Sequence, residues 1–133
     1  MARSVRLRYT EAPDVKEALE EIARHLHFSH IALHSVYCYR SVGSRSKYVI
    51  ARIHGLGRVW QKALKRPPAY LIEVISERYD KLDEEGRDKT LIHELLHIPK
   101  GFLGGFRHHG GYINRQRIER LYKVLREQRA TTS

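Results

Sequence analysis

The chain has 133 residues, enough to fold around one core, and no run of about 20 apolar residues that would cross a membrane. Its net charge of +10 favours contact with nucleic acid or another acidic surface, and fits equally well a basic protein without such a partner. The single cysteine, Cys38, excludes an internal disulfide and indicates a cytoplasmic protein, and the scarcity of Asn, Met and Cys is typical of heat-adapted proteins.

The first part of the chain has the patterns of two kinds of element. Alternating residues from Val5 to Tyr9 predict a short strand, and apolar residues at helical spacing predict a helix over residues 12–27. The apolar and aromatic run from Ile31 to Tyr39 predicts a second strand. The run from Lys47 to His54 predicts its antiparallel partner, with residues 40–46 as the turn between them.

The middle of the chain combines a short helix with a strand. Residues 59–64 predict a helix that ends before a pair of prolines, and we expect Trp60 to pack on the surface or in the core. Residues Ala69 to Ser76 have the most regular strand pattern of the chain.

The stretch from Thr90 to Ile98 contains the motif His-Glu-x-x-His within an apolar, helix-favouring run. At 3.6 residues per turn, His93 and His97 lie on one face of a helix, so that both imidazoles can bind one cation while Glu94 lies beside it. This arrangement is typical of zinc peptidases. The alternative is a buried helix with two incidental histidines, in a chain that has nine.

The residues around this motif predict the limits of its helix and the source of a third ligand. Asp83 is the expected N-cap, and Pro99 with the glycines that follow it ends the helix. A catalytic zinc ion usually has three protein ligands and an open position for water. The nearest candidates for the third ligand are His108 and His109, with Glu119, in a final helix over residues 112–129, as the next.

The motif also predicts a mechanism. A zinc ion lowers the pKa of its bound water to about 7 and polarises the scissile carbonyl group. We expect Glu94 to act as the general base that takes the proton from this water and returns it to the leaving amine. Tyr112 is a candidate donor to the developing oxyanion.

Several segments together resemble a known family. They are Glu73-Val74-Ile75-Ser76, Leu82, His93-Glu94-Leu95-Leu96-His97-Ile98-Pro99 and Gly104-Gly105-Phe106-Arg107-His108-His109-Gly110. This combination is similar to the small predicted metallopeptidases of archaea and their phages and, more distantly, to SprT-like (Spartan-type) zinc proteases. In both, the first motif is followed by a His-Gly pair, which implies that His109 is the third ligand and His108 the second choice.

The resemblance implies a minimal zincin fold. We therefore predict a single α+β domain over residues 1–133, with a small, mostly antiparallel sheet packed against the metal-binding helix and backing helices. The family also implies hydrolysis of an extended peptide or protein substrate laid along an edge strand, for which residues 70–76 are the candidate. The resemblance and the charge together predict action near nucleic acid. The alternative function is a basic nucleic-acid-binding protein with a structural or vestigial metal site.

Overall fold

A computed structural model describes residues 6–132 and contains, within that range, four strands and five helices. In chain order they are β1 (Arg8–Glu11), α1 (Pro13–His25), β2 (Val36–Val42), β3 (Ala51–Gly55), α2 (Arg58–Leu64), β4 (Tyr70–Ile75), α3 (Ser76–Tyr79), α4 (Glu84–Leu96) and α5 (Arg115–Thr132). None of the helices in residues 6–132 has both the length and the apolar character needed to span a membrane.

The strands form one mixed sheet in the order β1-β2-β4-β3. The outer pairs are antiparallel and the central pair, β2 with β4, is parallel. This architecture confirms the predicted α+β class. It also shows that the predicted hairpin between β2 and β3 is wrong, because β4 lies between them, and that residues 70–76 do not form an edge strand.

The side chains of β4 explain its central position. Five of its six residues are buried, including residues on both faces of the sheet. Such a strand gains most from neighbours on both sides, because its backbone groups and both of its faces then leave water. Ile72, for example, lies between Cys38 of β2 and Ile53 of β3. The free edge near α4 is therefore β3.

Helices α1 and α4 pack against the sheet, and α5 packs against these two helices, so that all of them contribute to one core. The fully buried members of this core include Leu19, Ile22, Ile72, Leu91, Ile92, Leu95 and Leu125. Helix α4 begins as predicted, since the Asp83 carboxylate accepts a hydrogen bond of 2.8 Å from the Gly86 amide. It ends at Leu96, with His97 as the C-cap, before Pro99.

The starts of three strands differ from the sequence prediction. Strand β3 begins at Ala51 and not at Lys47. Strand β1 begins at Arg8, and Val5 lies outside the described residues. Strand β2 begins only after a single turn of 3₁₀ helix at residues 33–35, and it continues through Arg40 to Val42. A guanidinium group fits within this strand because the Arg40 side chain bonds to two carboxylates, those of Asp14 and Asp80, at 2.7 Å each.

Helix α2 is unusual because none of its residues is buried. Trp60 is 63% exposed and Val59 is 81% exposed, so Trp60 lies on the surface and not in the core. The polar contacts of α2 with the rest of the protein include those of Gln61, whose amide donates hydrogen bonds to the carbonyl groups of Leu56 and Leu103.

Candidate metal centre

Three histidines from two parts of the chain meet at one point. One ring nitrogen each from His93, His97 and His109 lies within 4.8 Å of the others. The ring centroids are 5.1, 4.9 and 4.8 Å apart, and the Nε2 atoms of His93 and His109 are separated by 2.8 Å. Three imidazoles this close could hold a metal ion.

Helix α4 places the first two histidines. His93 and His97 are four residues apart, so they project from the same face, one turn apart. The opposite side of this turn is fixed in the core by Ile92, Leu95 and Leu96, each no more than 3% exposed. The positions of both rings therefore follow from a helix that cannot rotate without exposing apolar surface.

The segment between α4 and α5 places the third histidine. His109 forms an isolated β-bridge with Ile113, which is 3% exposed. The Arg107 amide, two residues earlier, donates a hydrogen bond of 2.8 Å to the His97 carbonyl group. The chain thus folds back over the end of α4 and brings His109 above the two helical histidines.

A hydrogen bond fixes the tautomer of His97. Its Nδ1 atom lies 2.6 Å from the Arg107 carbonyl oxygen, which can only accept, so Nδ1 carries the proton. The lone pair is then on Nε2. Histidine ligands in proteins are commonly oriented by such a bond on the second nitrogen.

The surroundings favour the neutral forms of His93 and His97. Burial, together with smaller contributions from the neighbouring His97 and His109, lowers the pKa of His93 to about 4. Burial also lowers the pKa of His97. A neutral imidazole has a free lone pair for a metal ion, so these rings can act as ligands at neutral pH without first losing a proton.

Glu94 lies next to this cluster on α4 and is only 6% exposed. Burial raises the pKa of its carboxyl group to about 7. A carboxyl group with a pKa in this range can exchange a proton with water near neutral pH, as a general base must. The Glu94 side chain lies in the wall of a cleft.

The cleft has a volume of about 670 Å³. Two histidines of the cluster, His93 and His109, lie in its wall together with Glu94. The rest of its wall consists of Tyr48, Val49, Ile50, Ala51, Lys89, Thr90, Ile113, Asn114, Arg115, Ile118 and Glu119. Residues 48–51 lead into the free edge strand β3, so the cleft lies between that edge and α4.

The other candidates from the sequence lie outside the cluster. His108 is exposed and is not among the converging nitrogens. Glu119 lines the cleft, but its carboxylate accepts a hydrogen bond of 2.8 Å from Lys89. The ring of Tyr112 is stacked between the guanidinium groups of Arg107 and Arg117, at 3.8 and 4.1 Å, and is not part of the cleft wall.

Sequence reasoning missed the wall opposite the motif. Tyr48, Val49 and Ile50 precede β3 by a few residues and are separated from α4 by more than thirty residues of chain. No local pattern marks them as neighbours of a metal centre. They are identified only when the strand order is known.

Comparison with known proteins gives one family. The model of the family described as "Putative phage metallopeptidase" matches residues 7–128, which is most of the chain. No curated protein and no solved structure matches, and the similarity to SprT-like proteases stays a prediction. The matched range includes the His-Glu-x-x-His helix, the returning segment and the cleft. The chain therefore belongs to this family of phage metallopeptidases.

Proposed function

We propose that this protein is a zinc-dependent peptidase in which His93, His97 and His109 bind the metal and Glu94 is the general base. One observation supports this proposal above all others. Three imidazoles converge beside a buried carboxyl group, at the wall of a cleft of about 670 Å³.

The donor set favours zinc. Three imidazole nitrogens with an open fourth position are a common arrangement for catalytic zinc, whereas calcium and magnesium prefer oxygen ligands. Two nitrogens bound tetrahedrally at about 2.0–2.1 Å lie about 3.3 Å apart. The Nε2 atoms of His93 and His109 are 2.8 Å apart, which is close to this separation.

When bound, zinc would act as a Lewis acid that makes water more acidic and polarises the scissile carbonyl group. Glu94 takes a proton from the attacking water as the new C–O bond forms at the carbonyl carbon. The same carboxyl group then donates this proton to the amine nitrogen as the C–N bond breaks. Its pKa of about 7 suits both steps, because neither form of the carboxyl group is strongly favoured near neutral pH.

The substrate is an extended peptide that pairs with the free edge formed by β3 and the residues before it. Strand β4 was the predicted edge, but β2 and β3 already occupy both of its sides. The outer edge of β3 lies beside the cleft that contains Glu94. An added strand there would pass its carbonyl groups close to the three histidines.

The base is tested with a pair of matched variants. Glu94→Gln and Glu119→Gln each remove one carboxylate from the cleft wall. We expect Glu94→Gln to retain zinc, measured by elemental analysis, and to lose at least about 100-fold in cleavage of a panel of unfolded proteins. Glu119→Gln should change the rate little. Equal losses in the two variants would contradict the role of Glu94.

The third ligand is tested in the same way with adjacent histidines. His109→Ala should weaken zinc binding strongly, and His108→Ala should leave it unchanged, because only His109 lies in the cluster. His93→Ala should also lose zinc. Full zinc content in His93→Ala would show that the site is assigned incorrectly.

A second candidate function is nucleic-acid binding with a structural metal site. The observation that favours it is an exposed basic surface on and after α2. Residues 56–69 contain no acidic side chain, and Arg58, Lys62, Lys65 and Arg66 are all exposed. Salt-dependent binding of DNA or RNA that is unchanged in Glu94→Gln, with no cleavage of any protein, would favour this function over the first.

A further inference from the structure

The segment from Pro99 to Asn114 carries His109 but, apart from one isolated bridge, contains no regular secondary structure. The position of a ligand on such a segment depends on the contacts that hold the segment in place. Two side chains from distant parts of the chain hold it before it reaches the metal cluster. They are Tyr70, at the start of β4, and Gln61, on α2.

The Tyr70 hydroxyl group makes two hydrogen bonds to the segment. It accepts one of 2.9 Å from the Gly104 amide and donates one of 2.6 Å to the Gly105 carbonyl group. The Tyr70 ring is 1% exposed, and the rings of Phe102 and Phe106 contact it edge-on at 4.9 and 5.8 Å. Gly104 is buried, so its amide is left unsatisfied if it loses this partner.

Gln61 makes the second attachment. Its side-chain amide donates hydrogen bonds of 2.7 Å to the Leu56 carbonyl group and of 2.9 Å to the Leu103 carbonyl group. Since α2 buries none of its own residues, packing does not account for its place on the protein. The amide of Gln61 ties it to the segment at the residue just before Gly104.

The attachment points lead directly to the metal cluster. Two residues after Gly105, Arg107 exchanges two hydrogen bonds with His97, one through the backbone and one through the ring nitrogen. His109 follows two residues later. A shift of residues 103–105 therefore changes both the orientation of the His97 ring and the position of His109.

We propose that Tyr70 and Gln61 are positioning residues for the metal site. They fix the position of His109 and the orientation of the His97 ring. This inference rests on the proposed assignment of the three histidines as ligands. A purely structural role would be different, because it would lower the stability of the whole domain without a specific effect on the third ligand.

The experiment uses Tyr70→Phe, which keeps the ring contacts and removes only the hydroxyl group. Zinc affinity is measured by competition with a chromophoric chelator. We expect a loss of about 10-fold or more, the size seen when partners of metal ligands are removed. The matched control is Tyr79→Phe on α3, another buried tyrosine, whose ring lies beside the Arg40 guanidinium group and which should bind zinc like the wild type.

A double variant separates positioning from general destabilisation. In a His109→Ala background, Tyr70→Phe should weaken zinc binding less than in the wild type, because one of the two ligands that it positions is gone. The same fold loss in both backgrounds would overturn the inference. So would wild-type affinity in Tyr70→Phe.

Two further measurements test the role of Gln61 and the effect of Tyr70 on the segment without metal. Gln61→Ala should weaken zinc binding about threefold, while Lys62→Ala on the same helix should not. Hydrogen exchange of the metal-free protein should speed up at the Gly104 and Arg107 amides in Tyr70→Phe, and unchanged exchange there would overturn the inference. A wild-type chain that binds no zinc would instead overturn the proposed metal site.

Discussion

Helix α4 and the segment from Pro99 to Asn114 supply the same kind of side chain in two different ways. His93 and His97 are placed by the repeat of a helix that is fixed in the core along one side. His109 is placed by a series of single hydrogen bonds to Gln61, Tyr70 and His97. The positions of the first two histidines therefore depend on local geometry, whereas the position of the third depends on residues that are far away in the sequence.

Gly104→Ala should have the largest effect on stability, because it changes the backbone of the segment from Pro99 to Asn114 itself. Gly104 has a φ of +100°, which residues with a side chain rarely adopt, and an added Cβ would overlap the Leu56 carbonyl oxygen. We expect a loss of stability of about 2–4 kcal/mol, from the backbone strain and the overlap together. Urea denaturation measures it, and zinc affinity should fall as well.

The control for this prediction is the next residue. Gly105 has no atom within 4 Å of an added Cβ and does not have a positive φ. Gly105→Ala should therefore change stability by no more than about 0.5 kcal/mol. If both variants behaved alike, the segment would be adaptable, and the contrast with α4 would disappear.

Arg129→Ala should have the next largest effect on stability, because Arg129 connects α5 to α1 and α4. Arg129 of α5 makes ion pairs of 2.7 Å with Glu21 of α1 and with Asp88 of α4, which is only 5% exposed. Its removal leaves the Asp88 carboxylate buried without this partner, at a cost of about 3 kcal/mol. Zinc affinity of the folded protein should stay near that of the wild type, because the His93–His97 repeat is unchanged.

The same variant predicts a dependence on pH. The hydrogen bond from Arg129 holds the pKa of Glu21 below its usual value of 4.5. The stabilisation that this ion pair contributes is present above that value, and it is lost as the pH falls through the lowered pKa of the folded state. The stability gap between wild type and Arg129→Ala should therefore narrow below about pH 4.5. Arg126→Ala, at an exposed position on α5, should show no such gap at any pH.

Asp83→Ala should have the smallest effect, at the end of α4 that is remote from the histidines. It removes the hydrogen bond to the Gly86 amide and should cost about 1 kcal/mol. Asp83→Asn retains an oxygen that can accept this bond and should cost less. A change of zinc affinity in Asp83→Ala would mean that α4 is less rigid than its buried side indicates.

The helical half of the site could be predicted from the sequence because its geometry is local. The spacing of His93 and His97, the N-cap at Asp83 and the end before Pro99 all follow from rules that act over a few residues. Residue patterns alone left His108, His109 and Glu119 open as third ligands. The choice of His109 came from the His-Gly pair of the related families, and the structure brings this residue to the cluster.

The strand order could not be predicted from neighbouring residues. A turn-like segment after β2 suggested a hairpin, but the next strand pairs with β4 instead. One signal does point to the correct order. The run Leu71-Ile72-Glu73-Val74-Ile75 is mostly apolar at consecutive positions, which is typical of a strand with neighbours on both sides. Nothing near Tyr70 or Gln61 in the sequence indicates that they hold residues 103–105.

The free edge of β3 has a consequence for the choice of target. A peptide that adds to a sheet edge must be extended and must offer its own unpaired backbone groups over several residues. Most residues inside a folded domain do not combine these two properties until that part of the domain opens. An enzyme that takes its substrate along β3 would therefore select a protein by how often a segment of it unfolds, and a tightly folded protein would resist cleavage whatever its sequence.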